Sequence, residues 1–146
     1  ILQPSKSLAD YSTVSDADVV IMRYAHVLLM IAEAENEVNG PTEKALNAIN
    51  AVRTRSHQPA IDGTGLTQAE LRERIRNEWR VETCFEGLRY FQLKRWKQLQ
   101  QVVDGAVDPA YPSYIKVVKP AFEFFPLPQG EIDKAHGVLV QDPNYQ

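Results

Sequence analysis

Apolar and polar positions repeat at helical spacing over most of this chain. Between Arg23 and Asn39, Tyr24, Val27, Leu28, Ile31, Ala34 and Val38 share one face, and His26, Glu33 and Glu37 the opposite one. The pattern predicts a first helix that buries the apolar set. Asn39-Gly40-Pro41 ends it, because Gly accepts the left-handed cap and Pro cannot continue the ladder. Thr42 then caps a second helix, Glu43–Arg55, with a stripe of Ala45, Leu46, Ile49 and Val52. Helices joined by so short a breaker form an antiparallel hairpin. After a loop from His57 to Gly65, Thr67-Gln68-Ala69-Glu70 reads as a capping box and opens a third helix, expected to reach Phe85. A bend at Gly87 leads to a fourth helix, Leu88–Val103, expected to bury Leu88, Phe91, Trp96, Leu99 and Val102. Asp104–Ser113 reads as a loop. Ile115–Val118 and Phe122–Phe125 read as short strands, kept brief by Pro120 and Pro126. Pro128–Asp133 starts a single helical turn. Residues 1–17 form an irregular lead-in and residues 139–146 a surface tail. The predicted fold class is mainly all-α, helical hairpins followed by a short irregular C-terminal lobe.

The third helix carries acids on its apolar face. Leu71, Ile75, Glu78, Glu82 and Phe85 fall within one narrow sector, and Glu78, Glu82 and Glu86 are spaced i, i+4. Unpaired, each such step costs roughly 0.2–0.5 kcal/mol on an exposed helix and more when buried. A stable fold therefore brings arginines to the row. Arg53 and Arg55 end the preceding helix, and Arg89 and Arg95 lie just downstream. Catalytic carboxylates flank a substrate across a cleft, whereas these run along one helix face, so the row reads as a structural salt-bridge network.

The same stretch carries a resemblance. FEGLRYFQLKRW (Phe85–Trp96) looks like the signature of the SusD/RagB family. RYAHVLLMIAEAENEVNG (Arg23–Gly40), ALNAINAVRTR (Ala45–Arg55), LTQAELRERIRNEWRVE (Leu66–Glu82), FFPLPQGEI and QDPNYQ resemble further family segments in the family's order. Trp79, Gln92 and His136-Gly137 depart from the usual pattern without breaking a helix. The resemblance covers residues 18–146, which it marks as a SusD-like C-terminal helical domain with tetratricopeptide-like hairpins. It implies a surface-exposed outer-membrane lipoprotein that captures oligosaccharides and hands them to a SusC-like, TonB-dependent transporter. That role is non-catalytic and uses no cofactor. It further implies that this chain is the C-terminal part of a longer protein, whose N-terminal lipid anchor is absent from these residues and is its only membrane attachment. The competing reading is a tetratricopeptide-like interaction scaffold for a peptide or protein partner. The FFPLPQGEI and QDPNY endings favour the SusD-like reading, since a peptide-binding array has no need of them.

Composition adds exclusions. The chain has 146 residues, 44% hydrophobic and 24% charged, with a net charge of −3, which offers no electrostatic case for nucleic acid or an anionic membrane. No apolar run approaches the roughly 18 residues of a membrane-spanning helix. The single cysteine, Cys84, rules out an intrachain disulfide and has no activating neighbour in sequence. His26 and Glu33 are about 10 Å apart along the helix rise, too far for one ion to bridge, and no metal-ligand spacing occurs elsewhere. His57 and His136 read as solvated loop histidines. Gly63-Thr64-Gly65 is too sparse to cradle phosphate. Three aromatics stand as weak ligand candidates, because sugar binders stack rings on pyranose faces: Trp79 at the edge of the third-helix stripe, and Tyr111 and Tyr114 in a Pro-rich loop. Their structural reading is core rim for Trp79 and loop packing for the tyrosines. The resemblance points the same way, since it implies a glycan site built largely from loops outside this stretch.

Overall fold

A computed structural model of the chain describes residues 20–115, 118–119 and 124–145. The predicted lead-in at residues 1–17 lies outside them. The chain divides into two compact units, residues 1–82 and 83–146.

The first unit holds α1 (Tyr24–Asn39), α2 (Glu43–Arg55) and α3 (Gln68–Glu82). Helix α1 packs against both of the others. Its buried residues are Ala25, His26, Leu29, Ala32 and Asn36, which meet Ala45, Ala48, Ile49 and Val52 of α2 and Leu71, Ile75, Glu78 and Trp79 of α3. This corrects the orientation expected of the first helix. The side carrying His26 and Glu33 turns toward α3, with Glu37 exposed at its rim, while Tyr24 is 73% and Val38 78% exposed. Small side chains at Ala25 and Ala32 let the neighbours approach, and each polar residue of that face finds a partner on α3. The indole N–H of Trp79 donates to Glu33 at 3.1 Å. Arg72 donates two bonds to the Glu37 carboxylate, at 2.6 and 2.7 Å. This pairing holds Glu37 below the usual carboxylate value, against the opposing effect of burial.

Caps define the helix ends. The backbone N–H of Arg23 donates to His26 Nδ1 at 3.4 Å, so a histidine fills the place a Glu or Gln takes in a capping box. Gly40, at φ 80°, closes α1 with a bond from its N–H to Asn36 O at 3.0 Å. The Thr42 hydroxyl accepts from Ala45 N–H at 3.3 Å and donates to Glu35 at 3.1 Å. Replacing Thr42 with Ala is expected to cost about 1 kcal/mol, read as a lower urea midpoint at unchanged slope. At the start of α3, Thr67 accepts from Glu70 N–H while the Glu70 carboxylate accepts from Thr67 N–H at 2.9 Å. Helix α2 ends in a Schellman arrangement: His57 N–H bonds to Thr54 O and Gln58 N–H to Arg53 O, with His57 left-handed at φ 57°. Gln68 joins α3 to the end of α1, donating to Asn36 O at 2.6 Å and accepting from the Asn36 amide at 3.0 Å.

The second unit holds α4 (Arg89–Arg95), α5 (Leu99–Val103), β1 (Val107–Asp108), β2 (Tyr111–Ile115), α6 (Gln129–Lys134) and a 3-10 turn, Pro143–Tyr145. The expected fourth helix is thus two. Lys97 adopts φ 56°, its N–H bonding to Lys94 O and that of Gln98 to Leu93 O, which stops the first segment as His57 stops α2. The break changes which residues are buried: Leu93 is inside, while Phe91 and Val102 are exposed. Helix α3 also ends early, at Glu82. Phe85, expected in its apolar stripe, sits at φ 64° with its side chain fully exposed. Strands β1 and β2 pair antiparallel, Val107 opposite Ile115 and Asp108 opposite Tyr111, with an irregularity between. The segment read as a loop to Ser113 therefore ends in a strand. Of the second expected strand, Phe124 and Phe125 are described and are not in a strand, and the rest lies outside the described residues. Gln141 ties the tail back by accepting from Leu127 N–H at 3.0 Å and donating to Leu127 O at 2.9 Å.

Candidate functional site

Two constellations concentrate the chemistry of the described residues. The first is the acid row of α3. Glu78 turns inward, its side chain 6% exposed, and accepts from Arg53 Nη1 at 2.6 Å. Arg53 also donates to Pro59 O at 2.8 Å, so one guanidinium ties the α2–α3 loop to the acid. Glu82, with a side chain 7% exposed, receives two arginines. Arg55 Nη2 reaches its carboxylate oxygens at 2.5 and 2.6 Å. Arg23 Nη1 donates to Oε1, and Arg23 Nη2 to the Glu82 main-chain oxygen. Arg23 is the member sequence reasoning missed. Its signal was a basic residue at the N-cap of the helix that packs on α3. Glu86, Arg89 and Arg95 belong to the second unit. Glu86 is exposed, and the two guanidinium carbons stand 5.9 and 5.4 Å from the Trp96 ring centre. Thus the row is a clamp: buried carboxylates tie the end of α3 to the start of α1 and the end of α2.

The ligand candidates separate. Trp79 is buried, its indole bonded to Glu33 and its ring centre 6.0 Å from that of His26. That ring is committed to the helical core and offers no face for stacking on a sugar. Tyr111 is exposed at the start of β2. Tyr114 lies in the same strand. Cys84, His57 and His136 are exposed. Among the described residues, no three His, Cys, Asp or Glu side chains cluster as metal ligands, and no helix is long and apolar enough to cross a membrane.

The second constellation, also missed, is an aromatic cavity of about 550 Å³ inside the second unit, lined by Arg89, Tyr90, Leu93, Phe124, Phe125 and Tyr145 among others. The Tyr90 and Phe125 ring centres are 5.9 Å apart, and Lys94 Nζ lies 5.3 Å from the first and 4.9 Å from the second. The Tyr145 hydroxyl donates to Phe124 O at 2.6 Å. Burial chiefly, with Tyr90 and Asp142 adding, holds that hydroxyl above the ordinary phenol value. The sequence signal was the aromatic content of RYF, FFPLP and NY, three segments distant in the chain. The cavity offers rings and few hydrogen-bonding groups, so it suits an apolar or planar face.

Helical hairpins clamped by acid–arginine pairs, followed by an aromatic lobe, define a helical scaffold of the tetratricopeptide-like class. Comparison with known proteins makes the assignment specific. The sequence pattern of the SusD family matches residues 7–145, and the chain belongs to that family. It is 31% identical over 143 residues to SusD-like protein P2 of Formosa agariphila, an alignment covering 90% of this chain and 26% of that protein. A crystal structure of a SusD-like protein from Bacteroides fragilis superposes with a TM-score of 0.74 at 29% identity, over 87% of this chain and 26% of the other. Surface glycan-binding protein A from Bacteroides thetaiotaomicron superposes at 0.69 with 28% identity, over 86% of this chain and 24% of that one. The chain therefore spans about a quarter of the length of these relatives.

Proposed function

We propose that this chain is the C-terminal helical portion of a lipid-anchored glycan-binding protein at the outer-membrane surface. That protein captures oligosaccharide and passes it to a SusC-like, TonB-dependent transporter, breaking no bond and using no cofactor. The observation that carries this reading is the likeness to surface glycan-binding protein A across 86% of the chain, on a shared family fold. Within the protein, the hairpins act as scaffold. His26 and Glu33 face α3, and Glu37, paired with Arg72 at the exposed rim, is the member of that polar set available for a transporter contact. Of the rings first named, Tyr111 and Tyr114 on β2 remain the candidates for sugar contact.

Isothermal titration of soluble polysaccharides against the full-length protein and against this chain tests the reading. Binding by the full-length protein alone is expected, and makes these residues scaffold. Binding by both places sugar contacts within them, with loss in Tyr111→Ala and Tyr114→Ala variants locating the contact. Silence from both across the panel overturns the glycan reading in favour of a non-glycan nutrient or a peptide partner.

A further inference from the structure

The glycan reading leaves the aromatic cavity of the second unit without a task. Its volume of about 550 Å³ lies within the roughly 300–1,000 Å³ of ordinary small-molecule sites. Leu93, Leu99 and Val103 supply aliphatic walls, and Tyr90, Phe125 and Tyr145 supply rings. The Tyr145 hydroxyl already donates to Phe124 O. A neutral sugar is therefore a poor occupant, because its many hydroxyls lose water and find few partners there. One charge stands against the rings. Lys94 Nζ lies 4.9 Å from the Phe125 ring centre and 5.3 Å from that of Tyr90. Lys94 is half-buried, and among the described residues no carboxylate pairs with it. A second cation, Arg89, lines the cavity, and no described Asp or Glu does.

We infer that the cavity binds a small planar aromatic carboxylate, its ring against Tyr90 and Phe125 and its carboxylate at Lys94. Two features select that occupant. The Tyr90 and Phe125 rings stand 5.9 Å apart and tilted by 41°, a separation at which rings attract one another, so a third ring extends an existing cluster. The charge at the edge is positive, and an ammonium carries three N–H donors that a carboxylate accepts. An aliphatic acid matches the charge and forgoes the ring contacts. A neutral arene matches the rings and forgoes the charge. The inference stands apart from the glycan reading and survives if no sugar binds.

Calorimetric titration of naphthoate, naphthamide and decanoate into the full-length protein tests it. Naphthoate is expected to bind saturably. Naphthamide, of the same shape without the charge, is expected to bind at least about 10-fold more weakly, the effect of one hydrogen bond to a charged group. Decanoate, of the same charge without the ring, is expected to bind more weakly than naphthoate. Lys94→Gln is expected to bring naphthoate down to the affinity of naphthamide and to leave naphthamide unchanged. That variant is read as a ratio of two ligands on one protein, so a loss of folded fraction cancels. Phe125→Ala is expected to weaken both arenes, and the residue is 67% exposed, so the truncation spares the core. Absence of saturable naphthoate binding to the full-length protein overturns the inference, as it shows the cavity closed or filled by other polypeptide. Equal affinity for naphthoate and naphthamide overturns it, as does discrimination that survives Lys94→Gln. Decanoate binding as tightly as naphthoate overturns it too, since the rings then select nothing.

Discussion

Replacing Glu82 with Ala is expected to destabilise the helical unit by about 3 kcal/mol, the lower end of the range for a broken buried ion pair. The carboxylate is nearly buried and holds two guanidinium groups from two other elements, Arg23 before α1 and Arg55 at the end of α2. Its removal takes the carboxylate from both. The loss stays at the low end because Arg55 is 62% exposed and recovers water, and because Arg23 keeps the Glu82 main-chain oxygen. Thermal melting should fall by roughly 6–12 °C, at about 2–4 °C per kcal/mol for a chain near this size. Arg55→Ala, which removes an exposed partner and leaves Arg23 in place, is expected to cost below about 1 kcal/mol. A shift of only a degree or two in Glu82→Ala would mean the carboxylate is solvated, and the clamp would then contribute little.

The second large effect comes from α1. Leu29→Ala removes a side chain with no exposure between α2 and α3, and is expected to cost about 3 kcal/mol, within the range of roughly 2–5 for such deletions. Val38→Ala, on the outward face of the same helix, is expected to stay within about 0.5 kcal/mol in the 146-residue chain. Urea unfolding of the two variants measures both. The reverse ranking would turn the helix by half a revolution and overturn the packing described here. The pair is informative because the spacing of apolar residues placed Val38 inside and gave Leu29 no special role.

The orientation of α1 has a physical origin. The sequence between Ala25 and Ala34 is apolar nearly all round, so periodicity alone cannot choose a face. The choice was made by partners elsewhere in the chain. The Trp79 indole donates to Glu33, Arg72 pairs Glu37 at the rim, and the His26 ring lies beside Trp79, so the side of α1 carrying His26 and Glu33 is the packed side. Helix ends show a similar division. Where capping chemistry is written in residue type, as in Thr42, Thr67–Glu70 and Gly40, the ends are legible from the sequence. Where a non-glycine residue takes the left-handed position, as Lys97 and Phe85 do, they are not, and the helices end sooner than helical period alone predicts.

The order of helices, the hairpin, and the need for arginines opposite the acids of α3 are legible in the chain's local pattern. Each follows from local rules: helical period, cap chemistry, and the energetic demand of a buried carboxylate. Tertiary contacts set which face of α1 is inside, that Arg23 shares Glu82 with Arg55, and that Tyr90, Phe124, Phe125 and Tyr145 meet around one cavity. Those outcomes depend on contacts between residues tens of positions apart, which no local pattern encodes.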